Sequence, residues 1–149
     1  WFTFDQLSTP TLYTILKLRQ QVFVVEQKCA YQDCDNLDPR SWHLTGYHQD
    51  KLLAYCRVVY PSEKKSCPTI GRLLTHSTVR GKGIGRQLAE EALAHIKRTY
   101  PGTDTRISAQ FYLVIFYQSL GFTISSEVYD EDGIPHIDMT HDHNQVKTQ

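Results

Sequence analysis

The chain has 149 residues, the size of one domain with one substantial hydrophobic core, and 40% of its residues are hydrophobic. Lysine plus arginine and aspartate plus glutamate number 16 each, so no overall field attracts nucleic acid or an anionic membrane. No apolar stretch approaches the roughly 20 residues that span a bilayer. We therefore expect one cytoplasmic domain over residues 1–149 that binds neither membrane nor nucleic acid.

The first half of the chain is predicted to contain a strand, a helix, a long loop and a two-stranded hairpin, in that order. Residues 1–7 alternate as a short strand, and Pro10 opens a helix whose apolar positions recur at helical spacing. Residues 28–41 are rich in Cys, Gln, Asp, Asn and Pro, which predicts a long loop able to cover a site. Residues 42–48 and 52–60 read as a hairpin.

The second half alternates strands and helices. The apolar run 69–75 predicts a strand, and residues from Ile84 place Leu88, Ala92 and Ile96 on one helical face. The later predicted elements are a strand at 106–109, a helix at 111–120, strands at 122–129 and 135–140, and a frayed tail at 141–149. The order β-α-ββ-β-α-β-α-ββ indicates an α/β fold of mixed α+β type, a mixed sheet with helices on both faces.

The cysteines and histidines do not form a recognisable metal or disulfide pattern. The cysteines are Cys29, Cys34, Cys56 and Cys67. They contain no Cys-x-x-Cys pair, and the seven histidines are scattered apart from two in the polar tail. We predict reduced, structural thiols and no metal.

A glycine-rich loop separates the strand at 69–75 from the helix at Ile84. Its sequence is Arg80-Gly81-Lys82-Gly83-Ile84-Gly85-Arg86. Glycines leave no Cβ between the backbone and a ligand, so several N–H groups can meet one anion where the helix dipole favours negative charge. The flanking cations add full positive charge. The loop therefore predicts a phosphate site.

Three other interpretations of this loop fit its sequence less well. A P-loop NTPase needs Gly-Lys-Ser/Thr, whereas Gly85 is followed by Arg86 and Gln87. A dinucleotide fingerprint needs a third glycine where Leu88 stands. The glycines could also only shape a turn, but the clustered cations at a helix start argue against that interpretation.

Read as Arg80-x-x-Gly83-x-Gly85, the loop resembles the acyl-CoA pyrophosphate motif of the GCN5-related N-acetyltransferases, the GNAT superfamily. About thirty residues downstream, Phe116-Tyr117-Gln118-Ser119-Leu120-Gly121-Phe122 looks like the Tyr-x-x-x-Gly-Phe signature of the same superfamily. Residues 18–27 and 127–137 further resemble the two signature segments of the ElaA family, a group of bacterial GNAT proteins. With them the resemblance covers nearly the whole chain up to Thr140.

The resemblance implies a fold and a set of cofactor contacts. The strand before the glycine loop is expected to splay from its parallel neighbour, so that backbone groups of Leu73, Leu74 and Thr75 bind pantetheine and polarise the thioester. Residues 80–86 are expected to hold the pyrophosphate. The implied pyrophosphate residues are Arg80, Gly81, Lys82, Gly83, Ile84, Gly85 and Arg86. Gln110 stands where many members have an Asn that contacts CoA.

Tyr117 matches the tyrosine that can protonate the CoA thiolate, a role that suits a phenol because it keeps its proton at neutral pH. It could instead only pack beside Phe116 and Phe122. The topology implied by the resemblance places the acceptor at the opposite end of the splay from the phosphates. Asp130, Glu131 and Asp132 would attract a cation there.

Three residues are candidates for the base that takes the amine proton, directly or through water. They are His136, His43 and Glu26. Each could instead have a structural role: His43 as a half-buried strand residue, and Glu26 in a pair with Arg19 or Lys28.

The sequence thus predicts an acetyl-CoA-dependent N-acetyltransferase that moves an acetyl group directly to an amine, with acetyl-CoA as co-substrate. The acceptor can be a small or polyamine-like amine, a lysine or an N-terminus. A noncatalytic acyl-CoA-binding module on the same fold is the alternative. Cysteine nucleophilic catalysis is disfavoured because Cys56 and Cys67 lie outside any activating motif. The oligomeric state stays open, a homodimer included.

Overall fold

The computed structural model describes residues 1–144. Its strands are β1 (Phe2–Thr3), β2 (Ser41–His48), β3 (Lys51–Val59), β4 (Thr69–Thr75), β5 (Thr105–Gln110), β6 (Thr123–Ile124), β7 (Tyr129–Glu131) and β8 (Ile134–His141). Its α-helices are α1 (Thr9–Arg19), α2 (Ile84–Thr99) and α3 (Val114–Gln118). A π-helical segment, Gln20–Glu26, continues α1. Short 3-10 turns at Phe4–Gln6, Asp38–Arg40, Ser77–Val79 and Phe111–Leu113 complete the elements.

The strands form one mixed sheet in the order β1-β2-β3-β4-β5-β8-β6, with β7 also paired to β8. Every pairing is antiparallel except that of β4 with β5. This parallel pair has only two partners in register, Thr69 with Arg106 and Ile70 with Ile107. Within residues 1–144 the two strands have no pair in register beyond Ile70, and a gap lies between them there.

Helices cover both faces of the sheet, as predicted. On one face α1 packs Ile15 and Leu18 against Leu52, Tyr55 and Leu74. On the other face α2 and α3 enclose the larger core. Its buried members include Cys56, Val58, Ile70, Leu88, Ala92, Ile96, Ile107, Tyr117, Phe122 and Met139. The strong amphipathic spacing of α2 explains why its sequence alone identified it.

Several predicted boundaries were wrong. The first strand is only Phe2–Thr3, because a 3-10 turn closed by Thr3 and Gln6 follows at once. The predicted strand at 122–129 is two short pieces, β6 and β7, with residues 125–128 outside the sheet. The predicted helix at 111–120 is a 3-10 turn followed by the five-residue α3.

The predicted frayed tail was wrong at its start. β8 extends to His141, and the imidazole of His143 lies 2.7 Å from the hydroxyl of Thr105. Residues 145–149 of that predicted tail lie outside the described residues. The cysteines are free thiols in the structure, with Cys29, Cys56 and Cys67 buried and Cys34 exposed. No helix of residues 1–144 is long and apolar enough to cross a membrane.

A buried ionic network anchors the long loop at residues 28–41. Arg19, fully buried in α1, bonds Asp33 at 2.8 Å and Asp38 at 2.7 Å. Arg57 of β3 bonds Asp38 at 2.9 Å and also pairs with Asp35. Because each aspartate is held by at least one guanidinium, the loop is fixed to the sheet rather than left mobile.

Candidate active site

A single cleft of about 1160 Å³ occupies the gap between β4 and β5. One end is bordered by the glycine-rich loop and α3, and the other by the loop at 28–41 and the β7–β8 hairpin. The π-helical segment forms one side through Val22, Phe23 and Glu26. The structure thus joins the expected cofactor end and the expected acceptor end in one continuous space.

The glycine-rich loop is shaped to admit a ligand against its backbone. Gly81 and Gly83 have φ of +76° and +78°, values that disfavour any residue with a Cβ, and Gly83 is the N-cap of α2. A Cβ built on Gly81, Gly83 or Gly85 meets no atom within 4 Å, so the space over the loop is open. All three glycines line the cleft. This geometry fits a pyrophosphate placed at the N-terminus of a 16-residue helix.

The cations of the loop differ in what they contact. Arg80 donates to Glu26 at 2.7 Å and to the carbonyl of Thr75 at 3.1 Å. Arg86 donates to Ser119 at 2.6 Å and lies over the Phe116 ring, which ties α2 to α3. Lys82 is exposed and is not among the side chains that line the cleft.

Glu26 therefore lies at the cofactor end. Glu26 was predicted as a candidate base, with Arg19 or Lys28 as its possible structural partners. The structure instead pairs it with Arg80, while Arg19 bonds the buried aspartates. This position suits orientation of Arg80 better than proton abstraction.

β4 presents the backbone that the resemblance assigned to the thioester. Leu74 and Thr75 pair with Tyr55 and Ala54 of β3, and the register with β3 is interrupted between Tyr55 and Arg57. Among the described residues, no β5 partner is in register with β4 beyond Ile70. The side of Leu73, Leu74 and Thr75 that faces β5 is thus turned to the cleft, which they line together with Ile84.

Tyr117 is almost wholly buried yet also lines the cleft. Its ring packs edge-on against Phe116 and Phe122, with ring centroids 5.0 and 5.7 Å apart. Burial raises the pKa of its hydroxyl above the ordinary value, so the phenol stays protonated at neutral pH. Packing and proton donation are therefore compatible at this residue.

At the other end of the cleft, the β7–β8 hairpin brings His136, Glu131 and Asp132 together. His136 Nδ1 lies 2.7 Å from the carbonyl of Ile134, to which it can only donate, and its Nε2 lies 3.5 Å from Glu131. The carbonyl of Asp132 accepts a contact from Cys29 Sγ at 3.2 Å, which closes the hairpin onto the loop at 28–41. That loop does border the site, as its length predicted.

Asp130 lies apart from the other two acidic residues of the hairpin. Its carboxylate accepts from the backbone N–H of Gly133 at 3.1 Å, so it stabilises the turn, and it is not among the residues that line the cleft. Gln110, opposite His136 in the sheet, lines the cleft and bonds Gln27 at 3.1 Å.

His43 is not brought to the cleft. It is fully buried, with Nδ1 2.7 Å from the hydroxyl of Tyr55 and Nε2 3.0 Å from the carbonyl of Asp38. Burial lowers its pKa despite the nearby Asp38. His43 pairs with Arg57, which pairs with Gly71 of β4, but the His43 side chain is buried and is not among the residues that line the cleft.

Sequence reasoning missed the polar floor of the acceptor end. Asp35, Arg57 and Arg72 line the cleft, and Arg72 donates to Asp33 at 2.8 Å and to Asp35 at 3.2 Å. Burial opposes the charge of Asp35, but its hydrogen bonds with Arg57 outweigh burial and hold its pKa at about 2. The acidic run at 33–38 was a visible signal, but nothing in its spacing identified arginines from α1, β3 and β4 as partners.

Comparisons with known proteins agree with this geometry. The model of the acetyltransferase (GNAT) domain matches residues 13–142. The chain belongs to the GNAT acetyltransferases, in their ElaA family. ElaA of Escherichia coli is 41% identical over 137 residues, 91% of this chain and 90% of that protein, and its crystal structure superposes with a TM-score of 0.88.

Two further relatives are similarly close. The UPF0039 protein sll0451 of Synechocystis is 44% identical over 140 residues, 93% of this chain and 91% of that one. The structure of an acyl-CoA N-acyltransferase from Pseudomonas aeruginosa has a TM-score of 0.89 at 41% identity and covers 94% of this chain and 96% of that one. This GNAT protein is accordingly an acyltransferase, whose fold supports acyl-CoA-dependent N-acyl transfer.

Proposed function

We propose that this GNAT protein is an N-acetyltransferase that moves acetyl directly from acetyl-CoA to an amine. The observation that carries the proposal is the single cleft that runs from the glycine-rich loop, past Tyr117, to the acidic hairpin. A module that only bound acyl-CoA would have no need for the second, acceptor end of this cleft. The proposed location is the cytoplasm.

The cofactor end accounts for CoA recognition. Backbone N–H groups of residues 81–86 receive the pyrophosphate, since the glycines leave the loop surface open. Arg80, oriented by Glu26, places a guanidinium donor beside the loop. Backbone groups of Leu73, Leu74 and Thr75 on the diverging edge of β4 receive the pantetheine arm and the thioester carbonyl.

The transfer step needs two proton movements. The amine lone pair attacks the thioester carbonyl carbon, and the C–S bond breaks as the carbonyl reforms. Tyr117 donates its phenolic proton to the departing thiolate and regains a proton from solvent. His136 Nε2 takes the proton that the amine loses, since its Nδ1 donates to Ile134 and leaves the Nε2 lone pair available.

A covalent acetyl-cysteine step is disfavoured by the thiol inside the core. Cys56 is fully buried, and burial raises the pKa of its thiol, which suppresses the thiolate that a nucleophile requires. Cys29 is the cysteine among the cleft-lining residues, and its thiol donates to the carbonyl of Asp132 at 3.2 Å, so direct transfer is the simpler course.

The acceptor is proposed to carry positive charge. Glu131 and Asp132 line the acceptor end, whereas Arg57 and Arg72 in its floor are already paired with aspartates. The unbalanced charge there is negative, which favours a polyamine-like amine, a lysine side chain or an N-terminus over a neutral or anionic acceptor.

The test is turnover with a panel of amines. The protein is mixed with acetyl-CoA and polyamines, lysine peptides or peptides with free N-termini, and both free CoA and acetylated amine are measured. We expect one acetylated amine per CoA released with at least one cationic acceptor. Acetyl-CoA binding without product from any amine would favour the noncatalytic module instead.

A further inference from the structure

A chain of four side chains leads away from the acceptor end of the cleft. Glu131 Oε2 lies 3.3 Å from Ser108 Oγ, and the hydroxyls of Ser108 and Tyr129 bond each other. The hydroxyl of Tyr129 donates to Asp138 Oδ1 at 2.7 Å. The inner end of this chain meets His136, whose Nε2 lies 3.5 Å from Glu131.

The proton count of this chain is incomplete. Three oxygen–oxygen contacts link Glu131, Ser108, Tyr129 and Asp138, but the two hydroxyls supply only two protons. With both carboxylates ionised, one contact always lacks a hydrogen. One added proton completes all three contacts, so a proton that enters at Glu131 can be passed along the chain.

The chain also has a direction. Ser108, Glu131 and His136 line the cleft, whereas Tyr129 and Asp138 are not among its lining residues. The four residues come from three adjacent strands, and the Tyr129 ring stacks on His136 with centroids 6.2 Å apart. Burial raises the pKa of Tyr129 to about 12, so its hydroxyl is protonated at neutral pH and can donate to Asp138.

We propose that Glu131, Ser108, Tyr129 and Asp138 form a proton relay that carries the amine proton from His136 to solvent. This inference rests on the proposed function. The ammonium N–H bond breaks, and its electron pair stays on nitrogen while the proton binds His136 Nε2. The proton then passes to Glu131, both hydroxyl protons shift one contact outward, and Asp138 releases a proton to water. One proton enters at His136 and one leaves from Asp138, so the net charge of the protein is unchanged.

The groups around His136 fit an intermediate imidazolium. Glu131 and Tyr129 face it from β7, and Gln110 lies opposite it in β5. The charged group near its Nε2, at 3.5 Å, is thus a carboxylate, which stabilises the imidazolium until the relay accepts the proton. Tyr129 and Asp138 act through Glu131 and Ser108, so they are positioning residues rather than catalytic ones.

Kinetics with matched variants test the relay. Tyr129→Phe and Asp138→Asn interrupt it beyond Glu131, and Glu127→Gln removes an exposed carboxylate from the neighbouring segment 125–128 as a control. We expect both relay variants to lower kcat about tenfold. This is less than the 10²- to 10⁴-fold fall in rate that follows the loss of a general base. The KM for the amine and the Kd for acetyl-CoA should match those of the control.

The distinguishing readout is rescue by a proton carrier. Rising concentrations of imidazole buffer at fixed pH should restore kcat of Tyr129→Phe, because a soluble base replaces the broken relay, while the control protein stays unchanged. If both variants have the same kcat as Glu127→Gln, water takes the proton directly. If they lose kcat and imidazole does not restore it, the residues are structural. Either result shows that the relay is wrong.

A second measurement needs no turnover. In carbon-13 NMR of the protein without substrates, the side-chain carboxyl signals of Glu131 and Asp138 should respond to pH together, since one chain of hydrogen bonds connects them. In Tyr129→Phe the two signals should respond independently. Independent responses in the unmodified protein would overturn the relay even if no acceptor had been found, whereas absence of product alone would count only against the proposed function.

Discussion

At the residue scale, Tyr117 combines a packing role with a chemical one. The ring is fixed between Phe116 and Phe122, the residue lines the cleft, and burial raises the pKa of its hydroxyl. A phenol that is both immobile and protonated is well suited to donate to a departing thiolate. The same burial means that the ring itself cannot be removed without damage to the core.

Tyr117→Phe separates the two roles, because it removes one hydroxyl and leaves the ring. We expect kcat to fall about 10²-fold, with acetyl-CoA affinity and thermal stability nearly unchanged. Tyr112→Phe is the matched control, since Tyr112 also lines the cleft but is 72% exposed. If the two variants have equal kcat with a verified amine, Tyr117 has only a packing role.

The glycines of the phosphate loop are not equivalent as test sites. Gly83 has φ of +78°, so a side chain there strains the backbone as well as filling the loop, whereas Gly85 lies within α2. A valine at Gly85 therefore tests the space above the loop with the least effect on folding.

Gly85→Val should weaken acetyl-CoA binding at least tenfold, about 1.4 kcal/mol, because the branched side chain occupies the approach of the pyrophosphate. Gln87→Val places the same side chain in the same turn of α2 but outside the cleft, and should bind normally. Calorimetry with acetyl-CoA on both folded variants measures the two affinities. An unchanged affinity of Gly85→Val for acetyl-CoA would show that the loop does not bind the cofactor.

At the element scale, the β7–β8 hairpin is the part of the site that most depends on charge. Glu131 and Asp132 line the cleft, while Asp130 caps its own turn. This division was invisible in the sequence, where three consecutive acidic residues look alike.

Replacing Glu131 and Asp132 by Gln and Asn should raise KM for a polyamine or lysine acceptor, more at low salt than at high, because salt screens charge attraction over about 10 Å at 0.1 M. Asp130→Asn is the control and should keep the native KM. Steady-state kinetics at two salt concentrations measures the effect. A double variant with native KM at low salt would place the acceptor elsewhere.

Prediction from sequence succeeded where local patterns carry the information. The run at 69–75, the glycines and the apolar face of α2 identify β4, the loop and its helix without any tertiary knowledge. It failed where partners are distant. The π-helical segment looks like ordinary helix, and no spacing shows that His43 bonds Tyr55 or that Arg19 bonds Asp33. Such pairings arise only when separate elements pack.

At the scale of the whole molecule, the buried ionic network links stability to the shape of the site. Arg19, Arg57 and Arg72 connect α1, β3 and β4 to the loop that borders the acceptor end. Removing one partner of a buried pair is costly because the remaining charge stays in the interior. The floor of the cleft and the stability of the fold thus depend on the same residues.

This network predicts sensitivity to acid. Burial opposes ionisation of Asp35, but the bonds from Arg57 lower its pKa from 3.8 to about 2 in the folded protein. A carboxyl with a depressed folded pKa stabilises the fold above its unfolded pKa, and this contribution is lost as pH falls through the folded value. We expect the free energy of unfolding to decline between about pH 4 and pH 2.

Urea unfolding across this pH range measures the decline. In Asp35→Asn the protein should be less stable at pH 7 because Arg57 loses a partner, and the decline toward pH 2 should be shallower. An identical pH dependence in both proteins would show that Asp35 is not part of the acid response.

The central claim is that acyl transfer occurs in the gap between β4 and β5, and a crystal structure of the protein with CoA tests it most directly. We expect the pyrophosphate on the backbone of residues 81–86, the pantetheine along the diverging edge of β4, and the sulfur within about 3.5 Å of the Tyr117 hydroxyl. A CoA molecule bound outside this gap, or one whose sulfur lies far from Tyr117, would contradict the account.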